Sequence, residues 1–344
     1  MLRNTGICCL AVLVQLLFAW ETQASPQEGN GVRYALIISG IGGEAKYEEA
    51  HWTWATGIYN ILQEEHNIPQ DRLFLMVSDP TIDPAVPAQK SNLSSIEQAF
   101  GTLAQRITSS DLLFVILIGH GSATGSDPKL NISGPDLTAS KLNGYFDTVK
   151  ADRIVLVNGS SSSGPFINAI SAPDRVIITA TKSGGERIAT IFTEHFQAAL
   201  SVENSDLDKD GRVSLLEAFT YTRLKTAEWY EDQGRLATEH PMLDDNGDQK
   251  GSRDPGGEHP DGALARSITF GEHVSVAETT TDLSPEDSKK LAELETRSQD
   301  IQGRIDALKL EKDNLTEDDY NSRLEDLLIS LARVNREIRT ITSQ

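Results

Sequence analysis

The chain is nearly without cysteine. Of its 344 residues only Cys8 and Cys9 carry a thiol, and both lie in one apolar run near the start. That run, Ile7 to Trp20, follows Arg3 and precedes Thr22-Gln23-Ala24. It is too short to cross a bilayer, and small residues at the third-last and last positions suit signal peptidase. Residues 1–24 therefore read as a cleaved signal peptide, which makes the chain secreted or periplasmic with no membrane association after cleavage. Gly6-Ile7 before Cys8 do not make a lipoprotein cleavage box. A chain cut after Ala24 holds no cysteine, which excludes disulfides and any cysteine nucleophile.

Positive charge is also scarce. Against 51 acidic residues stand 31 basic ones, for a net charge of −20. Such a surface repels nucleic acid and anionic lipid and attracts cations. Nucleic-acid partners are excluded on this ground. Proline is missing from everything after Pro285. There, Leu291, Leu294, Ile301, Ile305 and Leu308 recur at spacings of three and four, and Tyr320, Leu324, Leu327, Leu331, Val334, Ile338 and Ile341 repeat the rule. Residues 283–344 thus predict two amphipathic helices, either as an antiparallel hairpin or as a coiled coil through which the chain self-associates. Asn314 and the acidic stretch Thr316 to Asp319 favour the hairpin.

Between these ends, unbroken apolar runs of strand length alternate with helical patterns. Val32–Ser39, Arg72–Val77, the run ending at Ile118, Arg153–Val157 and Arg175–Ala180 read as strands. Lys46–His66, the stretch from Ser91 to Ile107, Thr138–Val149, Phe166–Ile170 and Glu186–Leu200 read as helices, and Pro80–Lys90 as a loop. Strands buried on both faces and joined by helices predict a doubly wound, mostly parallel α/β sheet. The organisation expected is an α/β domain over 30–200, a cation-binding segment over 201–250, a Pro/Gly-rich linker over 251–282 and the helical tail. Ser39-Gly40-Ile41-Gly42-Gly43 is a poor dinucleotide fingerprint, because its third glycine is misplaced and no acidic residue closes the next strand.

Two strand tips carry candidate chemistry. One ends in Gly119-His120-Gly121, the next in Gly159 and then Ser160, Ser161, Ser162, Ser163 and Gly164. In open α/β sheets ligands bind beyond the carboxyl ends of the strands, so the histidine and the serines face one crevice. A buried strand ending in His-Gly, then one whose tip aligns with Cys-x-Ser-Gly when Ser163-Gly164 is set on its Ser-Gly, resembles the caspase-like and legumain-like cysteine peptidases from roughly Arg33 to Asp248. The resemblance implies that fold, with His120 as the catalytic base, Ser161 in the place of the nucleophilic cysteine, and backbone N–H groups of Gly121 and residue 161 as an oxyanion hole. Two readings stay open. One is a peptidase frame whose chemistry has lapsed and which binds or scaffolds a peptide or protein partner. The other is a serine-type hydrolase using Ser161 and His120. A serine needs an oriented imidazole, and no carboxylate presents itself, since Asp111 begins the strand at its far end. Ser162 or Ser163 would also cap the helix that follows.

The strongest motif is Asp206-Leu207-Asp208-Lys209-Asp210-Gly211-Arg212-Val213-Ser214-Leu215-Leu216-Glu217. It matches an EF-hand calcium loop at each diagnostic position. Asp206, Asp208 and Asp210 supply side-chain oxygens, Arg212 a carbonyl, Ser214 a direct or water-borne ligand and Glu217 both carboxylate oxygens. Gly211 permits the turn, and Val213 points inward. Calcium is the implied cofactor. Asp244, Asn246 and Asp248 begin a looser copy, with Gln249 for the turn glycine and Pro255 where the glutamate belongs. It reads either as a second cation loop or as an acidic surface loop.

Overall fold

The computed structural model describes residues 31–125, 127–256, 260–271, 284–310 and 315–342. The expected signal peptide lies outside these, as does Asn314. The buried runs form a seven-stranded sheet. Its strands are β1 (Arg33–Ser39), β2 (Leu73–Val77), β3 (Ala88–Lys90), β4 (Leu112–Ile118), then β8 (Arg153–Asn158), β9 (Arg175–Thr179) and β10 (Met242–Asp244), the short β5 to β7 (Gly121–Ser122, Lys129–Leu130 and Leu137–Thr138) forming a separate small sheet. The order across the main sheet is β10-β9-β8-β4-β1-β2-β3, parallel throughout except for β10 against β9. The doubly wound, mostly parallel sheet read from the sequence is what the chain forms.

Successive strand residues point to opposite faces, and here the two faces become two cores. Ile37, Phe114, Ile116, Val157 and Ile178 pack on one side against α1 (Ala45–Glu64), α5 (Phe192–Ala199) and α7 (Leu215–Asp232). Leu36, Ile38, Val115, Leu117 and Leu156 pack on the other against α2 (Leu93–Arg106), α3 (Ala139–Phe146) and α4 (Phe166–Ile170). Asn92 caps α2 by accepting from Ser95 N–H at 2.9 Å, as its place before the helix leads one to expect.

Several local expectations differ from the structure. Within the expected loop Pro80–Lys90, the last three residues pair with β2 as an edge strand. Residues 186–191 do not join α5. The Glu186 carbonyl accepts from Ser162 N–H at 2.8 Å, and the Glu239 carboxylate accepts from Ile191 and Phe192 N–H, so the helix starts at Phe192. Residues 201–250 share the core of the sheet body, through Ala218 and Phe219 of α7 and Leu243 of β10. The expected linker is folded from 251 to 256 and from 260 to 271. Phe270 stacks on Phe114 at 5.2 Å, and fully buried Arg33 donates to the Thr269 carbonyl at 3.2 Å. Residues 272–282 lie outside the described part. The tail forms two helices, Pro285–Leu310 and Glu317–Thr342, packed on one another through Leu291, Leu294, Ile301, Ile305, Leu331, Val334 and Ile341.

Candidate functional site

The strand tips do converge, but they do not assemble a nucleophile and its base. Ser161 Oγ accepts from Gly121 N–H at 3.1 Å and donates to the Gly121 carbonyl at 3.4 Å. The amide expected to serve an oxyanion is therefore taken by the serine itself. Gly121 must be glycine here, because a Cβ would lie 2.4 Å from the Ser161 carbonyl oxygen. His120 Nε2 contacts the Gly42 carbonyl at 3.1 Å. Among the described residues no serine oxygen bonds to His120.

Each remaining serine holds the loop together. Ser160 Oγ donates to Asn158 Oδ1 at 2.6 Å, Ser162 Oγ donates to the Gly184 carbonyl at 3.2 Å, and Ser163 Oγ lies 3.2 Å from Thr181 Oγ1. All four are buried. Neither Ser162 nor Ser163 caps α4 through its side chain. Pro165 occupies that position, and Ser163 contributes its carbonyl to Phe166 N–H. The reason is tertiary: the Ser163 hydroxyl is turned to the tip of β9.

What orients His120 was not visible as a motif. Glu48 and His51 lie three residues apart on one face of α1. Glu48 accepts from Gly42 N–H at 2.7 Å, from Gly43 N–H at 3.1 Å and from Ser78 Oγ at 2.7 Å. These bonds hold its carboxyl below the usual range although burial opposes them. Glu48 thereby fixes the Gly42 carbonyl that His120 touches. The His51 ring lies 5.3 Å from that of His120, and Tyr47 meets His120 edge-on at 4.9 Å. His51 Nδ1 is buried without a partner, and burial, with the His120 charge second, lowers the imidazole to about 4. Asp111 stays at the far end of β4, accepting from Val32 and Thr108 N–H.

Beyond β8 and β9 a second group was likewise missed. His240 Nδ1 is bonded to Glu186 Oε1, whose other oxygen accepts from Lys182 N–H at 2.9 Å. Buried Glu239 beside it is pushed up to about 7, chiefly by burial. An open cleft of ≈ 460 Å³ lies next to the serine loop, lined by Ala123, Gly125, Pro128, Pro165, Asn168 and Gly184. Neither His120 nor any of the four serines lines it.

The acidic loop does assemble. Carboxylate oxygens of Asp206, Asp208 and Asp210 all lie within 4.8 Å of one another. Asp206 accepts from Asp210 N–H at 3.0 Å and Gly211 N–H at 2.9 Å, and Asp210 from Arg212 N–H at 2.8 Å. Glu217 reaches back across the loop, Oε1 to Leu207 N–H and Oε2 to Ser214 N–H and Oγ. Ser214 is also the N-cap of α7 and closes a capping box with Glu217. Lys209 and Gly211 take the left-handed conformation, φ 62° and 86°. Val213 is buried in the sheet core, and Leu215 N–H donates to the Ile268 carbonyl. Burial, then Asp210 and Glu217, push Asp208 up to about 7. A set of carboxylate, hydroxyl and carbonyl oxygens that repel one another suits a hard cation.

The tail reaches this loop. Asn335 Nδ2 donates to the Asp208 carbonyl at 3.1 Å, and Arg339 Nη1 is 4.0 Å from Asp206 Oδ2.

The second acidic turn follows β10. Asp244 Oδ1 accepts from Gly247 N–H at 3.2 Å, Asn246 Oδ1 from Asp248 N–H at 2.8 Å, and Asp248 Oδ1 from Lys250 N–H at 2.8 Å. Asp245 accepts from Gly262 and Ala265 N–H, at the start of α8 (Ala263–Ser267). Asp261 is pushed up to about 6 by burial and then by Asp245, Asp244 and Asp248.

No known family model matches this sequence, and no curated protein matches it. Among solved structures the chain is similar to the Drosophila initiator caspase Dronc, at 14% identity and a TM-score of 0.40, over 66% of this chain and 84% of that one. It is similar to drICE at 12% identity and a TM-score of 0.38, over 64% and 90%. A Geobacter sulfurreducens protein is similar at 10% identity and a TM-score of 0.38, over 63% and 93%. These are likenesses of fold, and they carry no chemistry.

Proposed function

We propose that the chain is a secreted calcium-binding protein on a caspase-like peptidase frame, with a binding or scaffolding role and no peptidase activity. The observation that carries this reading is that Ser161 and His120 are each engaged by backbone groups and not by one another. A serine hydroxyl stays protonated at neutral pH unless a base takes its proton during attack. Here the hydroxyl is tied to Gly121 and the candidate base to Gly42. The test is labelling with a fluorophosphonate alongside turnover of acyl substrates, in the parent, Ser161→Ala and His120→Ala proteins. Background labelling and turnover are expected. Turnover that vanishes in both variants would establish the serine hydrolase instead.

Calcium is supported by the loop from Asp206 to Glu217, where Arg212 would offer its carbonyl and Ser214 its hydroxyl between the acidic ligands. An ion held only by the folded state adds about 2.7 kcal/mol at a hundredfold excess over Kd. The unfolding midpoint should rise by the corresponding amount in calcium and fall back in Glu217→Gln. A midpoint indifferent to both calcium and chelator would remove the site. Secretion rests on the leader at residues 1–24 and is checked by the N-terminus of protein recovered from medium or periplasm.

A further inference from the structure

The turn after β10 repeats several features of the Asp206 loop, though Asp206 accepts from the fifth and sixth N–H of its loop and Asp244 from the fourth of its own. Counting from Asp206 and from Asp244, the fourth and sixth residues are left-handed in both: Lys209 and Gly211 in one, Gly247 (φ 77°) and Gln249 (φ 67°) in the other. In both, the third residue's side chain accepts from the fifth N–H, and the fifth residue's carboxylate from the seventh N–H. Gln249 adopts a conformation that favours glycine, and the turn keeps it. The ninth residue is serine in each case, Ser214 and Ser252.

Shape alone would make this an acidic turn. One buried side-chain oxygen says more. Asp244 is fully buried, and with Oδ1 turned inward to Gly247 N–H its Oδ2 has no hydrogen-bond partner. Ser171 is near enough to ease that carboxyl, but no group stands at bonding geometry to Oδ2. Ser252, 7% exposed, has a buried hydroxyl with no partner either. Leu243 and Ser252 exchange both backbone hydrogen bonds, at 2.9 and 2.7 Å, which closes the neck of the turn and sets the Ser252 side chain on the face of Leu243, opposite to that of Asp244. A buried polar atom without a partner costs about 1–3 kcal/mol, and a carboxylate oxygen left so in an acidic turn asks for a ligand.

We propose that this turn is a second calcium site, built from the side-chain oxygens of Asp244, Asn246 and Asp248 and the Lys250 carbonyl. The donors are all oxygen, which selects a hard cation over zinc or copper. Pro255 cannot replace the distal glutamate of the first loop. Among the described residues no further carboxylate gathers with Asp244 and Asp248 as the three aspartates of the first loop gather, and buried Asp261 accepts from Asp245 N–H at 3.3 Å. With a neutral amide at the third place and no residue like Glu217, the site binds more weakly than the first, with Kd on the order of 10⁻⁴–10⁻³ M.

The inference is independent of the first loop, and the test separates them. The full mature chain is titrated with calcium chloride, and separately with magnesium chloride, while its unfolding midpoint is followed in the parent, Asp208→Asn/Glu217→Gln, Asp248→Asn and the triple variant. Asp248 and Asn246 are exposed, so their substitution leaves the core intact. The expected result is a residual millimolar calcium response in Asp208→Asn/Glu217→Gln that disappears in the triple variant and that magnesium does not reproduce. Loss of the whole response in Asp208→Asn/Glu217→Gln would leave the first site standing and overturn this one. So would a residual response that survives Asp248→Asn or that magnesium matches. A response abolished by Asp248→Asn alone would support this site and remove the first.

Discussion

Acid should weaken this fold through His51. The ring is 4% exposed, its Nδ1 has no partner, and the His120 ring stands 5.3 Å away. Burial is the larger cause and the His120 charge the second, and together they bring the imidazole to about 4 although Glu48 and the Gly40 carbonyl pull upward. In the unfolded chain the same group titrates near the ordinary value of about 6.5. Between these values the unfolded state binds more protons, so stability is complete above about pH 6.5 and is lost as pH falls toward about 4. The lowering to about 4 corresponds to about 3 kcal/mol in all, of which about 2 kcal/mol is gone by pH 5. For a body of this size that is a fall in midpoint of about 4–8 °C. His66 and His195 are lowered by burial too and shift in the same direction. The informative quantity is therefore the difference between the parent and His51→Gln, followed by urea unfolding from about pH 8 to about pH 5. The parent should lose about 2 kcal/mol more than the variant over that range. His120→Gln should recover the smaller share, since burial dominates. A parent-to-variant difference that stays constant with pH would refute the argument.

Three further outcomes follow from particular contacts. Arg339 carries a positive charge 4.0 Å from Asp206 on a side chain 44% exposed, where such a contact is worth about 1 kcal/mol. Arg339→Ala, or truncation after Ser275, should therefore tighten calcium about fivefold by titration calorimetry, and unchanged affinity in both would show that the tail does not oppose the ion. Glu239→Ala should cost about 3 kcal/mol, because it strips the acceptor from two N–H groups at the start of α5, whereas Glu239→Gln should be much milder by urea midpoint. Gly121→Ala places a Cβ 2.4 Å from the Ser161 carbonyl oxygen and should destabilise by about 2 kcal/mol. A neutral result would mean that the serine loop moves freely.

The sheet, the tail and the first acidic loop were legible in the amino-acid sequence because each is a periodic or local pattern. Continuous apolar runs of strand length that end in small polar residues suit strands covered on both faces, and β4 and β8 are those runs, with Leu112 to Ile118 buried throughout. The three-and-four spacing of the tail is the seam that packs. Asp206 to Glu217 is closed by bonds inside its own twelve residues, so its spacing states its shape. Other features depend on contacts far apart along the chain. His120 and Ser161 were rightly placed at neighbouring tips. Which groups they bond was settled by Gly42, Glu48 and Gly121, brought in by α1 and by the loop after β4. Residues 251–271 read as a linker because Pro and Gly abound there, yet Thr269 and Phe270 close the core over Arg33 and Phe114. The turn at Asp244 looks degenerate as a string, since Gln249 stands where glycine belongs. Only the folded turn buries Asp244 and leaves its Oδ2 without a partner. Local periodicity is written in single residues, whereas the partner of a buried polar atom is chosen by the packing of the whole chain.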